Sequence, residues 1–413
     1  MNKIVLQYIT VDGSLVKYRF SVNNELKRYF ATDVMFLQYE QSMTDVPLSI
    51  LSIPFVNCMA GLSWLSDAML FVDEIDETFY YAFKQLKVAY SELHRTNLKG
   101  ILVPSVVKTN VVSKKPQCLL LFGGGVDCHC SYLRNMEDVS GVVNIYGWSK
   151  GNNKPRSQVD ISDQIMTDEF AHRFGIESYH VTSNFASQFN LDKIDKSLTS
   201  KVGTSYWYGF LHPMAFLSIT TPIAWIKGIS NLMIASSFTK DRADVHCASF
   251  ITTDREFKFA TNGTTLHDGF ELNRQDKVRL LVEYQKKIGK SYPIQACSFN
   301  DHNCCECEKC FRTVIAIIAE NGDPRELGFE HIGSAKVHWE RIINRDVALW
   351  GVTKESYYYY YSRKRMLENY ENIQDKEFVD WFLNFDFDKA KRKGLMKYYR
   401  KNFFSILKRK LHL

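Results

Sequence analysis

Polar and apolar positions alternate with period two on both sides of a short turn near the start of the chain. Lys3 to Val11 and Ser14 to Val22 flank Asp12-Gly13, the pattern of a β-hairpin. Leu48 to Leu70 is almost uninterruptedly apolar and predicts a helix. Glu77 to His94 predicts another, with Phe79, Phe83, Leu86, Val88 and Leu93 at helical spacing. Residues 1–113 therefore read as an α+β N-terminal unit, whose roles would be packing, substrate shaping or homodimer formation.

From Gln117 the pattern turns into short apolar runs alternating with helices. Leu119 to Phe122, Val142 to Tyr146, Glu177 to Thr182 and Asn231 to Ile234 predict strands. Between them, Ser162 to Arg173 predicts a helix capped by Ser162 or Asp160 and stopped at Gly175, and a second apolar helix surrounds Pro213 to Trp225. That alternation predicts an α/β fold with a doubly wound parallel sheet over residues 114–322. In such sheets ligands bind beyond the carboxyl ends of the strands. Here those ends are the glycine run after Phe122, then Tyr146-Gly147-Trp148-Ser149, then Ser236-Ser237, which predicts one shared crevice. The region after Thr239 is irregular until a helix from Val278 to Ile288, and residues 323–413 read as a helical, charged and aromatic C-terminal extension.

Composition narrows the class. Of 413 residues, 45% are apolar and 24% charged, as in an ordinary globular protein, and a net charge of +6 gives no argument for nucleic acid, so no DNA partner is expected. Two uncharged stretches, Ser49 to Ser66 and Val202 to Ile226, have the length of a membrane span, but their prolines and polar residues favour buried core helices. Met1 to Leu6 leads into polar residues without a secretory pattern, so a cytoplasmic location is expected.

Two stretches carry chemistry. The first is Leu119-Leu120-Leu121-Phe122-Gly123-Gly124-Gly125-Val126-Asp127-Cys128, an apolar strand that ends in three glycines, an Asp and a helix start. Glycines let backbone approach a ligand, and the free N–H groups and positive dipole end of a helix suit phosphate. The second is the cysteine cluster. Ten cysteines are spread unevenly, and Cys297, Cys304, Cys305, Cys307 and Cys310 fall within residues 297–310. In a chain with no secretory pattern, clustered cysteines hold metal more often than disulfides. Cys297, Cys304, Cys307 and Cys310 can complete a closed tetrahedral Zn2+ site, with Cys305 or His302 as substitutes for one ligand, and with an iron–sulfur cluster or free thiols as the alternatives to zinc. Lys309 and Arg312 would offset thiolate charge. Further upstream, Glu271, Arg274 and Lys277 share one face if their segment is helical.

Together these residues resemble the PP-loop family of N-type ATP pyrophosphatases, of the adenine nucleotide alpha hydrolase-like (HUP) fold class. The Gly-Gly-Val-Asp loop after the first parallel strand, and the Cys-x2-Cys-x2-Cys knuckle followed by Arg312, are similar specifically to 7-cyano-7-deazaguanine synthase-like proteins. The resemblance covers residues 117–320. It implies ATP and Mg2+ as cofactors beside Zn2+. Gly123, Gly124, Gly125, Val126, Asp127 and Cys128 would wrap the pyrophosphate of ATP, Asp127 would help hold magnesium-bound phosphates, and Tyr146, Gly147 and Trp148 would border the adenine, with Ser236 and Ser237 in the same crevice. Arg274 and Lys277 would lie near phosphates or substrate. The implied reaction is a ligase or synthase reaction: a small carboxylate or amide is adenylated, pyrophosphate leaves, and a nitrogen nucleophile displaces AMP.

This chain departs from the family pattern Ser-Gly-Gly-x-Asp-Ser at both ends, with Gly123 and Cys128 in place of the serines. Two hydroxyl donors to phosphate are lost. A catalytically degenerate nucleotide-binding subunit is therefore an alternative, and an RNA-modifying enzyme is another, since relatives of this fold modify tRNA. The basic amphipathic end, Lys389 to Leu413, either packs on the body or contacts an anionic membrane surface.

Overall fold

The structure, a computed structural model, describes residues 2–148, 156–242, 247–297, 300, 302–331, 336–337, 357–389, 392–397 and 399–400. Two compact units divide the chain: Met1–Gly123 with Ser131–Glu271, and Gly124–Cys130 with Leu272–Leu413.

The first unit is α/β. Its strands are β1 (Asn2–Asp12), β2 (Leu15–Val22), β3 (Val34–Gln38), β4 (Ala68–Asp76), β5 (Ile101–Lys108), β6 (Cys118–Leu121), β7 (Val139–Tyr146), β8 (Glu177–Ser183), β9 (Asn231–Ala235) and β10 (Thr264–Asp268). Helices α1 (Asn24–Lys27), α2 (Leu48–Leu65), α3 (Glu77–Leu93), α4 (Val126–Arg134), α5 (Arg156–Phe174), α6 (Leu191–Ser197), α7 (His212–Lys227) and α8 (Ile251–Asp254) lie between them, and the first turn of α4 belongs with the second unit.

Among the described residues the ten strands form one mostly parallel sheet in the order β10-β9-β6-β7-β8-β3-β2-β1-β4-β5. From β6 the chain steps outward through β7 and β8, then returns past β6 to add β9 and β10, all in parallel register. The direction reverses between β6 and β9, and the chain leaves β6 at that switch point, where open α/β sheets bind ligands.

The hairpin around Asp12-Gly13 forms as the alternation predicts, with Gly13 at φ +56°. Four strands differ from expectation. The apolar run over 48–70 ends its helix at Leu65, and its last residues begin β4, with Asp67 turning at φ +53° between them. β3, β5 and β10 fall where no strand was expected. Helix α5 starts at Arg156, six residues before Ser162, so neither Ser162 nor Asp160 is its N-cap. The N-terminal strands join the parallel set through a short antiparallel contact, Leu37 opposite Ser183 and Gln38 opposite Thr182.

The two apolar stretches are core. Helix α2 and the segment Trp207–Lys227 have membrane-span length and composition, yet 89% and 78% of their apolar windows are buried inside this protein, as core helices of a soluble protein are. Asn57 Nδ2 donates to Met214 O at 2.7 Å, which ties α2 to α7, and Tyr39 Oη donates to Ile219 O at 3.0 Å.

One glycine at the sheet's carboxyl edge is sterically required. Gly147 has φ +94°, and a Cβ there would fall 1.8 Å from Ser183 O. Gly147→Ala is expected to cost roughly 2–4 kcal/mol, measured as a lower urea midpoint with unchanged slope. An unchanged midpoint would show that this edge is not packed as described.

Candidate metal centre and glycine-loop site

The second unit contains α9 (Arg274–Ile288), α10 (Glu308–Ala319), α11 (Tyr357–Glu368) and α12 (Lys376–Leu383), together with the glycine loop and the first turn of α4. Both chemical stretches meet here.

The four sulfurs of Cys297, Cys304, Cys307 and Cys310 all lie within 4.8 Å of one another. Cys297 and Cys304 are 3.5 Å apart, Cys307 and Cys310 3.5 Å, and Cys304 and Cys310 3.9 Å. A zinc ion at about 2.3 Å from each sulfur of a tetrahedron needs sulfurs roughly 3.8 Å apart, so this donor set can bind a metal such as zinc. Cys305 is not part of it: its thiol turns to Asn303 O at 3.5 Å, and burial raises it to about 11. Its backbone, at φ +52°, makes the bend that brings Cys304 and Cys307 to one side. His302 is exposed and outside the group.

Backbone donors prepare the sulfurs for negative charge. Cys307 is the N-cap of α10 and accepts from Cys310 N–H at 3.4 Å, while Cys304 accepts from Glu306 N–H at 3.4 Å. Hydrogen bonds from Cys304, then Cys307 and Cys310, hold the Cys297 thiol far below its usual range. At Cys304 the bond with Cys297 pushes up and those with Cys307 and Cys310 push down, leaving it at about 6.

One residue outside the cysteines closes the cluster. Asn303, buried, accepts from Ala296 N–H at 2.9 Å and Cys297 N–H at 3.2 Å, and donates to Ile294 O at 2.7 Å and Gly328 O at 2.9 Å. It fixes the Cys297 strand against the Cys304 loop. Its only signal in the sequence is its place immediately before a cysteine pair. Ser298, Phe299 and Asp301 lie outside the described residues.

The glycine loop is anchored beside this cluster, since Gln295 N–H donates to Gly124 O at 2.7 Å. Gly124 has φ +67°, which lets the chain turn sharply into α4. Asp127, in the first turn, pairs with Lys277 Nζ at 2.9 Å and with Arg274 Nη1 at 3.6 Å. Asp127, Arg274 and Lys277, predicted from separate stretches, thus come together. Lys277 is 3% exposed and Asp127 26%. Burial would raise the Asp127 carboxyl, but Lys277 and Arg274, with a smaller contribution from Arg312, outweigh it and hold it below its usual value. A depressed folded value means that Asp127 stabilises the fold above its unfolded pKa, about 3.9, and that this is lost as pH falls through the folded value.

Helices α9 and α10 aim these cations. Asn273 caps α9 by accepting from Asp276 N–H at 3.1 Å, which puts Arg274 at the first helical position and Lys277 one turn on. Glu271 is not on that face: it lies before the cap and pairs with Arg134 at 2.5 Å in the first unit. Arg274 Nη2 donates to Thr313 Oγ1 at 3.0 Å, and Thr313 donates to Lys309 O at 2.9 Å, so α10 orients Arg274. Burial, then Arg312 and Arg274, lower the Lys309 ammonium, which places three cationic side chains close together. The sequence assigned Lys309 and Arg312 to thiolate charge; their charges are also felt at Asp127, Arg312 lowering its carboxyl, while Arg312 Nη1 lies 3.5 Å from Glu308 Oε2.

The remaining predicted residues have their own partners. Cys128 Sγ donates back to Gly125 O at 3.2 Å, and Val126 is buried. In the first unit, Tyr146 is buried with its hydroxyl 2.8 Å from His180 Nδ1, whose Nε2 is 2.8 Å from Asp168. Trp148 stacks on Trp207 with ring centres 5.3 Å apart. Ser236 is buried and donates to Phe238 O, whereas Ser237 is exposed. Ser149 lies outside the described residues.

Compared with known proteins, the chain matches no family model, no curated protein and no solved structure.

Metal analysis of purified protein should give about one zinc per chain, lost together with several degrees of melting temperature in Cys307→Ser. Cys305→Ser should keep its zinc. Full zinc in Cys307→Ser, or its loss in Cys305→Ser, would contradict the ligand set.

Proposed function

We propose that the chain is a PP-loop ATP pyrophosphatase-like protein that binds ATP through its glycine loop and uses it to adenylate a small carboxylate or amide, in the manner of 7-cyano-7-deazaguanine synthase-like ligases. The observation that carries this reading is the placement of Asp127. It stands at the start of a helix that follows a glycine loop, between Lys277 and Arg274 and within the influence of Arg312. One carboxylate among several cations leaves net positive charge at a helix N-terminus, which suits a polyphosphate.

In the proposed reaction a substrate carboxylate or amide oxygen attacks the α-phosphorus, the bond to pyrophosphate breaks, and a nitrogen nucleophile then displaces AMP. Such chemistry asks for phosphate neutralisation and positioning more than for a protein nucleophile. Lys277 and Arg274 neutralise phosphate oxygens, and Asp127 helps to hold magnesium on them. The four-cysteine centre takes zinc as a closed structural site.

A second reading, nucleotide binding without turnover, is favoured by the loop chemistry. Gly123 offers no side chain, and the Cys128 thiol, a weak donor, hydrogen-bonds Gly125 O within its own turn. The two readings separate on pyrophosphate release from ATP with magnesium and candidate carboxylates, read against Asp127→Ala. Turnover abolished in the variant supports the ligase; ATP binding with no turnover in the unaltered chain leaves the binding subunit.

A Cβ at Gly123 would meet nothing within 4 Å and its φ is not in the left-handed region, so a serine fits. Restoring both hydroxyls with Gly123→Ser and Cys128→Ser should tighten ATP binding by roughly ten- to a hundredfold, at about 1 kcal/mol or more per hydrogen bond to a charged group. Unchanged affinity, measured by calorimetry, would separate these positions from the phosphates.

A further inference from the structure

A cavity of about 600 Å³ lies within the second unit, where the end of α9, the exit of α10, the 3-10 turn Pro324–Leu327 and the start of α12 come together. That volume falls in the range of small-molecule sites. Two of its walls are tied by Gln374 N–H, which donates to Asn321 Oδ1 at 3.2 Å. Ile318, Ile373 and Phe378, all buried, give the lining an apolar part.

The charged part of the lining is balanced, Lys286, Arg325 and Lys336 against Asp323, Asp375 and Glu377. A simple anion or a simple cation meets repulsion there as well as attraction, whereas a molecule that carries both charges matches both sets. Little of this charge is used up inside the protein. Lys336 and Glu377 are 3.9 Å apart and 40% and 88% exposed, a loose surface pair. Lys286 Nζ donates to a neutral acceptor, Glu320 O, at 3.1 Å. Asp323 Oδ1 accepts from Arg325 N–H at 2.9 Å and Asp375 Oδ1 from Phe378 N–H at 3.0 Å, which uses one oxygen of each carboxylate. Among the described residues the Arg325 guanidinium forms no ion pair or hydrogen bond. Asp323 and Arg325 stand two residues apart on one turn, so opposite charges borne by a single carbon can reach both.

We propose that this cavity binds a free α-amino acid with an apolar side chain. Its carboxylate goes to the Arg325 guanidinium, its ammonium to the second oxygen of Asp323, and its side chain to the surface of Ile318, Ile373 and Phe378. The guanidinium supplies two parallel donors to one carboxylate, the geometry that makes such pairs strong. The proposal is independent of the phosphate reading of the glycine loop, since none of these residues belongs to it.

The test is calorimetry on the full chain with L-leucine and L-phenylalanine as probes. At least one should bind. Its amide, which lacks the carboxylate, and its N-acetyl form, which lacks the ammonium, should each bind at least roughly tenfold more weakly. Arg325→Gln should weaken the amino acid by roughly tenfold or more. Asp323→Asn keeps an acceptor for Arg325 N–H and removes the charge, and should weaken it by a similar factor. Both positions are exposed, so melting temperature and zinc content should stay at the unaltered values. Failure of both amino acids to bind, an amide or N-acetyl form that binds as tightly as its parent, or full affinity in either variant would overturn the proposal.

Discussion

Asp127 is a single carboxylate set among more positive charge than it can neutralise, and the second unit is arranged around that imbalance. Lys277 is almost wholly buried against it and Arg274 sits behind a second, longer contact. A buried ammonium depends on the partners it finds inside the protein, and Asp127 is one of them for Lys277. Three stretches far apart in sequence must therefore fold to one place before any is stable there: the first turn of α4, the start of α9 and the first turn of α10. Net positive charge held by such constraints is what the proposed phosphate site would draw on.

The cysteine centre bears on the same place. Cys307 caps α10 and Cys310 lies in its first turn, so whatever holds the sulfurs also sets the direction of the helix that carries Lys309, Arg312 and Thr313. Asn303 ties the two halves of the cluster, and Gln295 ties it to Gly124 through one backbone hydrogen bond. Metal binding and loop geometry are thus linked through a few short connections rather than through a shared core. On the other side of α10, the contacts from α11 to Glu308 and Gln275 complete the enclosure.

How much of this could be read from the chain depended on the range of the interaction. The hairpin at Asp12-Gly13 and the strands β6 to β9 follow from local periodicity, and the four ligand cysteines follow from fixed spacing. The helix–strand division within the apolar run at 48–76 was hidden, because Ser66-Asp67 is too short and polar only briefly to mark a change of period. β5, with Pro104 and a largely exposed outer face, carries no alternation to detect. The pairing of β8 with β3 is non-local and has no signature in either strand. At the site, Asp127, Arg274 and Lys277 were legible by chemistry and position. The choice of Cys304 over Cys305 was not, since it hangs on the left-handed bend at Cys305, and the hydrogen bond from Tyr359 to Glu308 joins residues 51 positions apart.

The most direct measurement of the central claim is hydrogen–deuterium exchange of the full chain with and without ATP and magnesium. The account predicts slowed exchange confined chiefly to peptides spanning the glycine loop and the first turn of α4, and to the start of α9, where Arg274 and Lys277 reside. Saturating nucleotide that leaves the exchange of Gly123 to Cys130 unchanged would contradict it.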